Sequence, residues 1–333
     1  MATNGVFGGT VGAPSLLDQL WTEPTPAAPR GLRRLLALDA DRAGLARRRF
    51  RLRPGPARET LERAERSCIL GFNSALAEQP HLIDQLPPDQ RGFACEGAAA
   101  ASALLDLVTL TRGRRLHELL AGPAVHHPHA VYVGAGRAYA RLPLRPGFAR
   151  LHPLHRWAAL DGLGFEHGLA DADRAVGERV QPRVRGRDEQ ALADQGLGRL
   201  LWVHECAAPD DVAARIGSFP APRRGDLWSG AGFAATQVGG ADSEELSALA
   251  FHASADGFRA HLAQGSAFAA AAWLRSGHLP LHTVQASILL AGAEPDEAAA
   301  RVDRALIGLG HDPRTAEDYL AWRAHTRRAF TRR

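Results

Sequence analysis

The sequence contains no lysine, and all forty of its basic residues are arginine. Because arginine stays protonated throughout the physiological range, this positive charge does not titrate away. Thirty-six acidic residues nearly balance it and leave a net charge of +4. The arginines are scattered along the chain instead of forming one basic patch, which argues against nucleic acid as a partner.

Cysteine and long apolar runs are also scarce. The three cysteines, Cys68, Cys95 and Cys206, form no CxxC pair and no even framework, which argues against structural disulfides and a cysteine zinc site. No apolar run reaches the length of a membrane span, and no secretory signal pattern is evident. We therefore expect a cytoplasmic protein with no membrane span of its own.

Motifs for metals and cofactors are missing as well. The densest of the fifteen histidines form the run His126-His127-Pro128-His129, but no HExxH motif accompanies it. Gly134-x-Gly136 lacks the third glycine and the strand of a dinucleotide site, and there is no P-loop. We expect neither a metal nor a cofactor.

The composition favours helices that pack closely. Aromatic residues make up only 6% of the chain, while alanine and glycine are abundant. The apolar spacing predicts a helix over 57–78 and a first helix over 32–48; the best strand candidate, 130–133, is too short to carry weight. We predict a mainly α fold preceded by a flexible arm over residues 1–30.

Weak internal repetition suggests two related halves. At an offset of 133, Arg91 and Gly97 match Arg224 and Gly230. Further matches follow at offsets of 131, such as Gly134 with Gly265, and of 130, such as Gly162 with Gly292. We predict duplicated helical halves, 31–180 and 181–333, packed about a pseudo-twofold axis or merged into one compact domain, with a pocket between them. Gly-x-x-x-Ala steps, such as Gly97 to Ala101, would let helices approach closely.

Two segments supply the candidate catalytic residues. Glu96 lies in an alanine-rich run that we expect to be buried, where a carboxylate has to be paired or have a raised pKa, as suits a general acid or base. Its alternative role is that of a satisfied glutamate bracing two helices. Asp161, Glu166 and His167 form the second group, in which His167 would shuttle protons; capping or turn roles are the alternative.

Two later segments supply candidate substrate-binding residues. Asp194, Gln195 and Arg199 precede a tryptophan, and Arg199 would bind a carboxylate or phosphate unless it serves a structural ion pair. Asp226 and Trp228 would line a pocket. Ser229 has no Gly-x-Ser-x-Gly elbow, which argues against a hydrolase nucleophile.

The order and spacing of several segments resemble the bacterial family of uncharacterised proteins that includes the UnbL-type proteins of enediyne biosynthesis. They are Gly92–Ala98, Val133–Gly136 with Ala138, Asp161–Phe165, Asp194–Arg199 with Trp202, Arg224–Gly230 and Leu262–Gly265. Gln264, in the last segment, completes the predicted substrate-binding set. The resemblance implies a place beside an iterative polyketide synthase, whose linear polyene product is matured towards a cyclic core. It carries over no agreed catalytic residues.

Three hypotheses for function remain open. The first is a protein that acts on a linear polyene and fixes its conformation for cyclisation or another maturation step, with other cluster proteins as possible partners. The second is a non-catalytic carrier or scaffold for that apolar ligand. The third is a noncanonical cyclase for a polyprenyl diphosphate, although the chain has no DDxxD metal motif.

Overall fold

The computed structural model describes residues 24–141, 151–310 and 312–331, and within them every regular element is a helix. The mainly α prediction is therefore confirmed. The thirteen α-helices are α1 (Pro56–Leu76), α2 (Pro88–Val108), α3 (Arg114–Ala121), α4 (Pro128–Ala140), α5 (Ala159–Ala170), α6 (Gly186–His204), α7 (Pro209–Gly217), α8 (Ala221–Val238), α9 (Ser243–Ala255), α10 (Arg259–Arg275), α11 (Leu281–Ala286), α12 (Pro295–Ile307) and α13 (Ala316–Thr331).

Shorter helical segments connect them. Five are 3₁₀ segments, at Gly31–Leu36, Ala40–Ala43, Leu45–Arg48, Pro80–Gln85 and His155–Ala158. Two are π-helices, at Asp173–Gly177 and Ser287–Ala291. Several α-helices begin with proline, whose fixed φ suits the first turn and whose missing N–H costs nothing there. None of the described helices is long and apolar enough to cross a membrane.

The local predictions succeed for one long helix and fail for two shorter segments. The helix expected over 57–78 is α1. The helix expected over 32–48 is wrong, because this stretch forms three 3₁₀ segments separated by extended residues. The strand candidate 130–133 lies inside α4. Of the predicted arm, residues 1–23 lie outside the described residues.

Seven helices pack side by side in a series in which each contacts the next: α1, α2, α4, α5, α6, α8 and α10. A recurrent pair of small residues makes these contacts close. The pairs are Gly97/Ala99 on α2, Gly134/Gly136 on α4, Gly162/Gly164 on α5, Gly196/Gly198 on α6, Gly230/Gly232 on α8 and Gly265/Ala267 on α10. The first residue of each pair faces the preceding helix of this packing series.

The contacts of these glycines are reciprocal. A Cβ at Gly136 would overlap the carbonyl oxygen of Ala159, and a Cβ at Gly162 would overlap that of Val133. In both directions the carbonyl lies three residues, one helical turn, before the opposing glycine. The same geometry recurs between α1 and α2, where Gly71 faces Ala94. Backbone therefore packs directly on backbone at each crossing, and glycine is required there.

Part of the predicted repetition has matching contacts. Arg91 donates to the carbonyls of Leu86 and Asp84, and Arg224 makes the same two contacts 133 residues later, to Phe219 and Gly217. The matches at an offset of 130 differ in structure, because Gly162 lies mid-helix whereas Gly292 ends a π-helix with a φ of 68°. The described contacts repeat helix by helix, and the duplication into two halves stays a prediction.

An extended segment crosses the C-terminal end of α6 and ties the N-terminal region to it. The backbone N–H of Arg51 donates to the His204 carbonyl at 2.9 Å. The Glu205 carboxylate forms ion pairs with the guanidinium groups of Arg51 and Arg215, at 3.3 and 2.7 Å. Burial alone would raise the pKa of Glu205, but hydrogen bonds from His204 and Arg215 lower it to about 2. This carboxylate is thus ionised in the folded protein at all but very acidic pH.

Glu205→Gln is therefore expected to destabilise the protein at neutral pH, and the loss should shrink in acid. The folded-state pKa lies below the value of about 4.3 for an unfolded glutamate, so the stabilisation is fully present above that pH. It is lost as the pH falls from there towards 2. Urea unfolding of wild type and variant at a series of pH values measures the gap, and a gap that does not narrow below about pH 4 would contradict the assignment.

Candidate functional site

The helix packing dictates which side chains meet in the interior. The residue just before the first small residue of each pair is Glu96 on α2, Val133 on α4, Asp161 on α5, Gln195 on α6, Ser229 on α8 and Gln264 on α10. All six are buried, and all but Val133 are polar. Side chains four residues later share the same helix face, which adds Arg137, Phe165, Arg199 and Phe233. On these helices, polar and aromatic side chains thus lie on the same helix face, next to the positions where the backbones pack closely.

Glu96 lies at the centre of a buried ion-pair cluster. Its two carboxylate oxygens accept from different guanidinium groups, Arg137 at 3.1 Å and Arg199 at 3.2 Å. Arg199 also donates to Asp161 at 2.6 Å. Each of these four side chains is about 5% exposed or less. Glu96 therefore has the partners that a buried carboxylate requires, and it braces α2 against α4 and α6.

A second branch runs from Arg137 towards the surface. Arg137 donates to Glu166 at 2.8 Å and lies 3.4 Å from Glu65, and Arg141 reaches Glu166 at 2.7 Å. Arg48 completes the branch, 3.1 Å from Glu65. Burial would raise the pKa of Glu166, but the charges of Arg137 and Arg141 lower it overall. Four carboxylates and four guanidinium groups make up the whole cluster, so its formal charge is zero.

Aromatic rings cover the guanidinium groups. The Arg137 and Arg199 guanidinium carbons lie 5.0 and 5.2 Å from the centroid of Phe165, and Arg199 also lies 5.2 Å from the centroid of Phe233. Such cation–π contacts stabilise desolvated cations while their other edges hold carboxylates. The interior therefore presents aromatic faces directly beside fixed charges.

A series of side-chain contacts leads from this cluster to α13. Asp161 accepts from Gln195 at 2.8 Å, and Ser229 lies between the side-chain oxygens of Gln195 and Gln264, at 3.1 and 3.2 Å. Gln264 then accepts from Arg327 on α13 at 3.4 Å. The side chains of four helices, α5, α6, α8 and α10, are linked in this way to the C-terminal helix.

Two spaces adjoin the cluster. A narrow cavity of about 40 Å³ is lined by Glu96, Arg137 and Arg199 on its charged side and by residues such as Leu61, Phe93 and Phe165 on its apolar side. An outer cleft of about 750 Å³ is lined by arginines, by Glu65 and Glu166, and by apolar residues. Arg48, Glu65 and Leu169 line both spaces and separate them. The cleft has the size of a ligand site, whereas the cavity as it stands has room for only a few waters.

Comparison of the chain with known protein families yields one match. The family model described as "Protein of unknown function (DUF1702)" matches residues 30–330. The chain belongs to the DUF1702 family. No curated protein and no solved structure matches it.

In this DUF1702 protein, four of the ten predicted site residues meet directly: Glu96, Asp161, Gln195 and Arg199. Glu166 joins them through Arg137, and Gln264 through Ser229. Their assignment to catalysis or to substrate binding stays a prediction.

The other four predicted residues point elsewhere. His167 contacts the Val180 carbonyl at 3.0 Å, and Asp194 is held by Arg223. Asp226 pairs with Arg323 at 2.9 Å, and the indole of Trp228 donates to Asp256 at 2.8 Å. None of these four lines the cavity or the cleft described above.

Sequence reasoning missed Arg137, which joins more of the cluster's carboxylates than any other side chain described. A signal for it exists in the DUF1702 chain. Arg137 directly follows Gly134-x-Gly136, as Arg199 directly follows Gly196-x-Gly198. Because the glycine pairs occupy equivalent crossings, the two arginines enter the interior from equivalent positions. Comparing the residues after each glycine pair would have identified Arg137.

Proposed function

We propose that this protein holds a linear conjugated polyene and assists its maturation towards a cyclic product in natural-product biosynthesis. One observation carries the proposal. Three of the segments that resemble UnbL-type proteins contribute to the central cluster: they supply Glu96, Asp161 and Arg199, and Arg199 pairs with both carboxylates. Residues from three matching segments thus meet at one interior site.

The lining of the two spaces suits a slim apolar chain with one polar end. A polyene is flat and narrow, and it would pack against Phe93 and Phe165 in the cavity. The arginine-lined cleft would hold a carboxylate or other acidic end. Because the resting cavity is small, binding requires that its cover move.

That cover is formed by the short 3₁₀ segments. Ala43, Leu45 and Arg48 line the cavity and belong to segments of only four residues each. Arg48 is the side chain among them that also lines the cleft. A shift of these segments would join cleft and cavity into one channel without disturbing the glycine-packed helices. Such loop movements are a common way to admit and enclose a substrate.

Glu96 is the first candidate for a chemical role, since it lines the cavity and lies between two guanidinium groups. In the catalytic version of the proposal it moves a proton on the bound chain, while Arg137 and Arg199 stabilise the charge that develops. One observation favours the carrier version instead: every carboxylate of the cluster is already ion-paired. The experiment below separates the two.

Co-expression with an iterative polyketide synthase of the enediyne type tests both versions. The purified protein is extracted with organic solvent, and the extract is analysed by liquid chromatography with ultraviolet and mass detection. We expect a bound polyene whose mass or spectrum differs from that of the synthase product alone. An unchanged bound polyene would support the carrier version. A protein without polyene, and an unaltered product profile, would contradict the proposal.

Glu96→Gln is the decisive variant. It keeps the shape of the side chain and removes the charge, so the catalytic version predicts a bound but unconverted polyene. Asp106→Asn is a matched control, because Asp106 is also a buried carboxylate but caps α3 through the backbone N–H groups of Arg115 and Leu116. It should lower stability and leave conversion per folded protein intact. Equal loss of conversion in both variants would assign Glu96 a structural role.

A further inference from the structure

A second buried cluster, around Arg323 on α13, differs from the central one because its charges are not balanced. Arg323 is fully buried and makes one ion pair, from Nη2 to Asp226 at 2.9 Å. Its Nε and Nη1 atoms are buried without a hydrogen-bond partner. An arginine side chain has five N–H donors, so three of them, one on Nε and two on Nη1, lack an acceptor.

Two further groups face the same region. Arg327 lies one turn after Arg323, on the same face of α13, and reaches Gln264 on α10 at 3.4 Å. On α8, Asp226 lies one turn before Ser229, which also contacts Gln264. The side chains of α8 and α13 therefore both reach Gln264 on α10, and Asp226 and Arg323 each lie one turn along their helices from a residue that contacts it.

Gln264 adds another donor without an acceptor. Its side chain is completely buried, and its Nε2 atom has no partner. The orientation of the amide follows from Arg327, because its guanidinium has only donors and faces Oε1. The single hydroxyl hydrogen of Ser229 serves either this oxygen or Oε1 of Gln195. The unsatisfied atoms of this region are thus all donors.

The electrostatics of the region agree with this inventory. In the described part of the chain, Asp226 is the only carboxylate ion-paired with Arg323 or Arg327. The nearby Asp194 and Asp161 are held by Arg223 and Arg199. Burial, followed by repulsion from Arg323, lowers the pKa of Arg327 to about 10, which leaves it charged at neutral pH. Burial, with Arg327 and Arg323 beside it, lowers the pKa of His261 to about 3, so that histidine is neutral.

We propose that the Arg323 cluster is a binding site for an oxyanion, in which a carboxylate or phosphate group accepts from Arg323 and Gln264. The anion supplies the missing negative charge and the missing acceptors together. An unpaired buried donor costs more than a made hydrogen bond contributes, so filling the site stabilises the fold. The half-buried Arg327 marks the side from which a small anion enters. This site is separate from the polyene cavity and does not depend on the function proposed for it.

Inorganic phosphate and acetate serve as the two probes. The full chain is unfolded thermally in a series of concentrations of each, at constant ionic strength maintained with chloride. Binding to the folded state should raise the unfolding midpoint with the logarithm of probe concentration. The probe with the larger response identifies the source of the oxyanion as phosphate or carboxylate. A midpoint that responds to neither probe would overturn the proposal.

Gln264→Glu places a carboxylate where the anion would bind, with almost no change in shape. We expect it to raise the unfolding midpoint in anion-free buffer. We also expect it to weaken binding of the probe, with a dissociation constant at least about tenfold higher than that of wild type. Arg328→Gln is the matched control, since Arg328 is an exposed arginine on the same helix and should leave the response unchanged. A second variant, Arg323→Met with Asp226→Asn, removes donor and partner together and should also abolish the response. A wild-type response in either the Gln264 or the double variant would contradict the assignment.

Discussion

Gly71→Ala is expected to destabilise the protein by about 3 kcal/mol, although alanine is the better helix former. Gly71 lies inside α1, and a Cβ there would overlap the carbonyl carbon and oxygen of Ala94 on α2. The atoms that would have to move are backbone atoms of a helix that is itself locked through Gly97 against the Cys68 carbonyl. Neither helix can rotate a side chain out of the way, so the crossing has to open.

Gly217→Ala is the matched control for this prediction. Gly217 is the last residue of α7, and a Cβ there would meet no atom within 4 Å. Replacing it should be neutral or stabilising by up to about 1 kcal/mol, because alanine loses less backbone entropy on folding. Denaturant unfolding of the two variants and wild type measures the difference. A Gly71 variant as stable as the Gly217 variant would mean that the crossings are loosely packed and that the interior cluster is not held rigidly.

The mainly α fold, the helix α1 and the need of two central side chains for buried partners could be predicted from sequence for physical reasons. A carboxylate such as Glu96, set among alanines and glycines, has to find a buried cation. Arg199, in a glycine- and leucine-rich stretch, needs a carboxylate for the same reason. Glu96 and Arg199 lie 3.2 Å apart, so this one ion pair gives each buried charge a partner of opposite sign.

The remaining parts depend on contacts between residues far apart in sequence. The apolar and basic pattern of 32–48 suits a helix, but Gly44 is extended there and the Leu45 N–H donates to Glu62 on α1. That tertiary contact replaces the helical one. Asp194 lies beside Gln195 in sequence, yet its side chain leaves the helix on another face and pairs with Arg223. Asp194 was therefore assigned to the site only because it is adjacent to Gln195 in sequence. Arg137 was missed because its carboxylate partners lie far from it in sequence.

Arg137→Met is expected to cost about 3–5 kcal/mol, the largest effect of any single charged residue in the interior. Arg137 is 4% exposed and pairs with Glu166 at 2.8 Å and Glu96 at 3.1 Å. Methionine fills much of the same volume but leaves buried carboxylates with too few cations. Arg314→Met is the control, because Arg314 and Asp312 form an exposed pair whose loss should cost about 0.5 kcal/mol or less.

The pH dependence of the Arg137 variant tests the cause of its instability. Because Arg137 and Arg141 lower the pKa of Glu166 below its unfolded value, wild type gains stability above about pH 4.3 that it loses as the pH falls. The variant gains less, so the gap between the two proteins should be widest at neutral pH and narrow in acid. Adding Glu166→Gln to Arg137→Met should recover part of the loss, since it removes a buried carboxylate that has lost one of its two guanidinium partners. If the gap stayed constant with pH and the second change recovered nothing, the cost would be one of packing volume, and the cluster would not be held together by its charges.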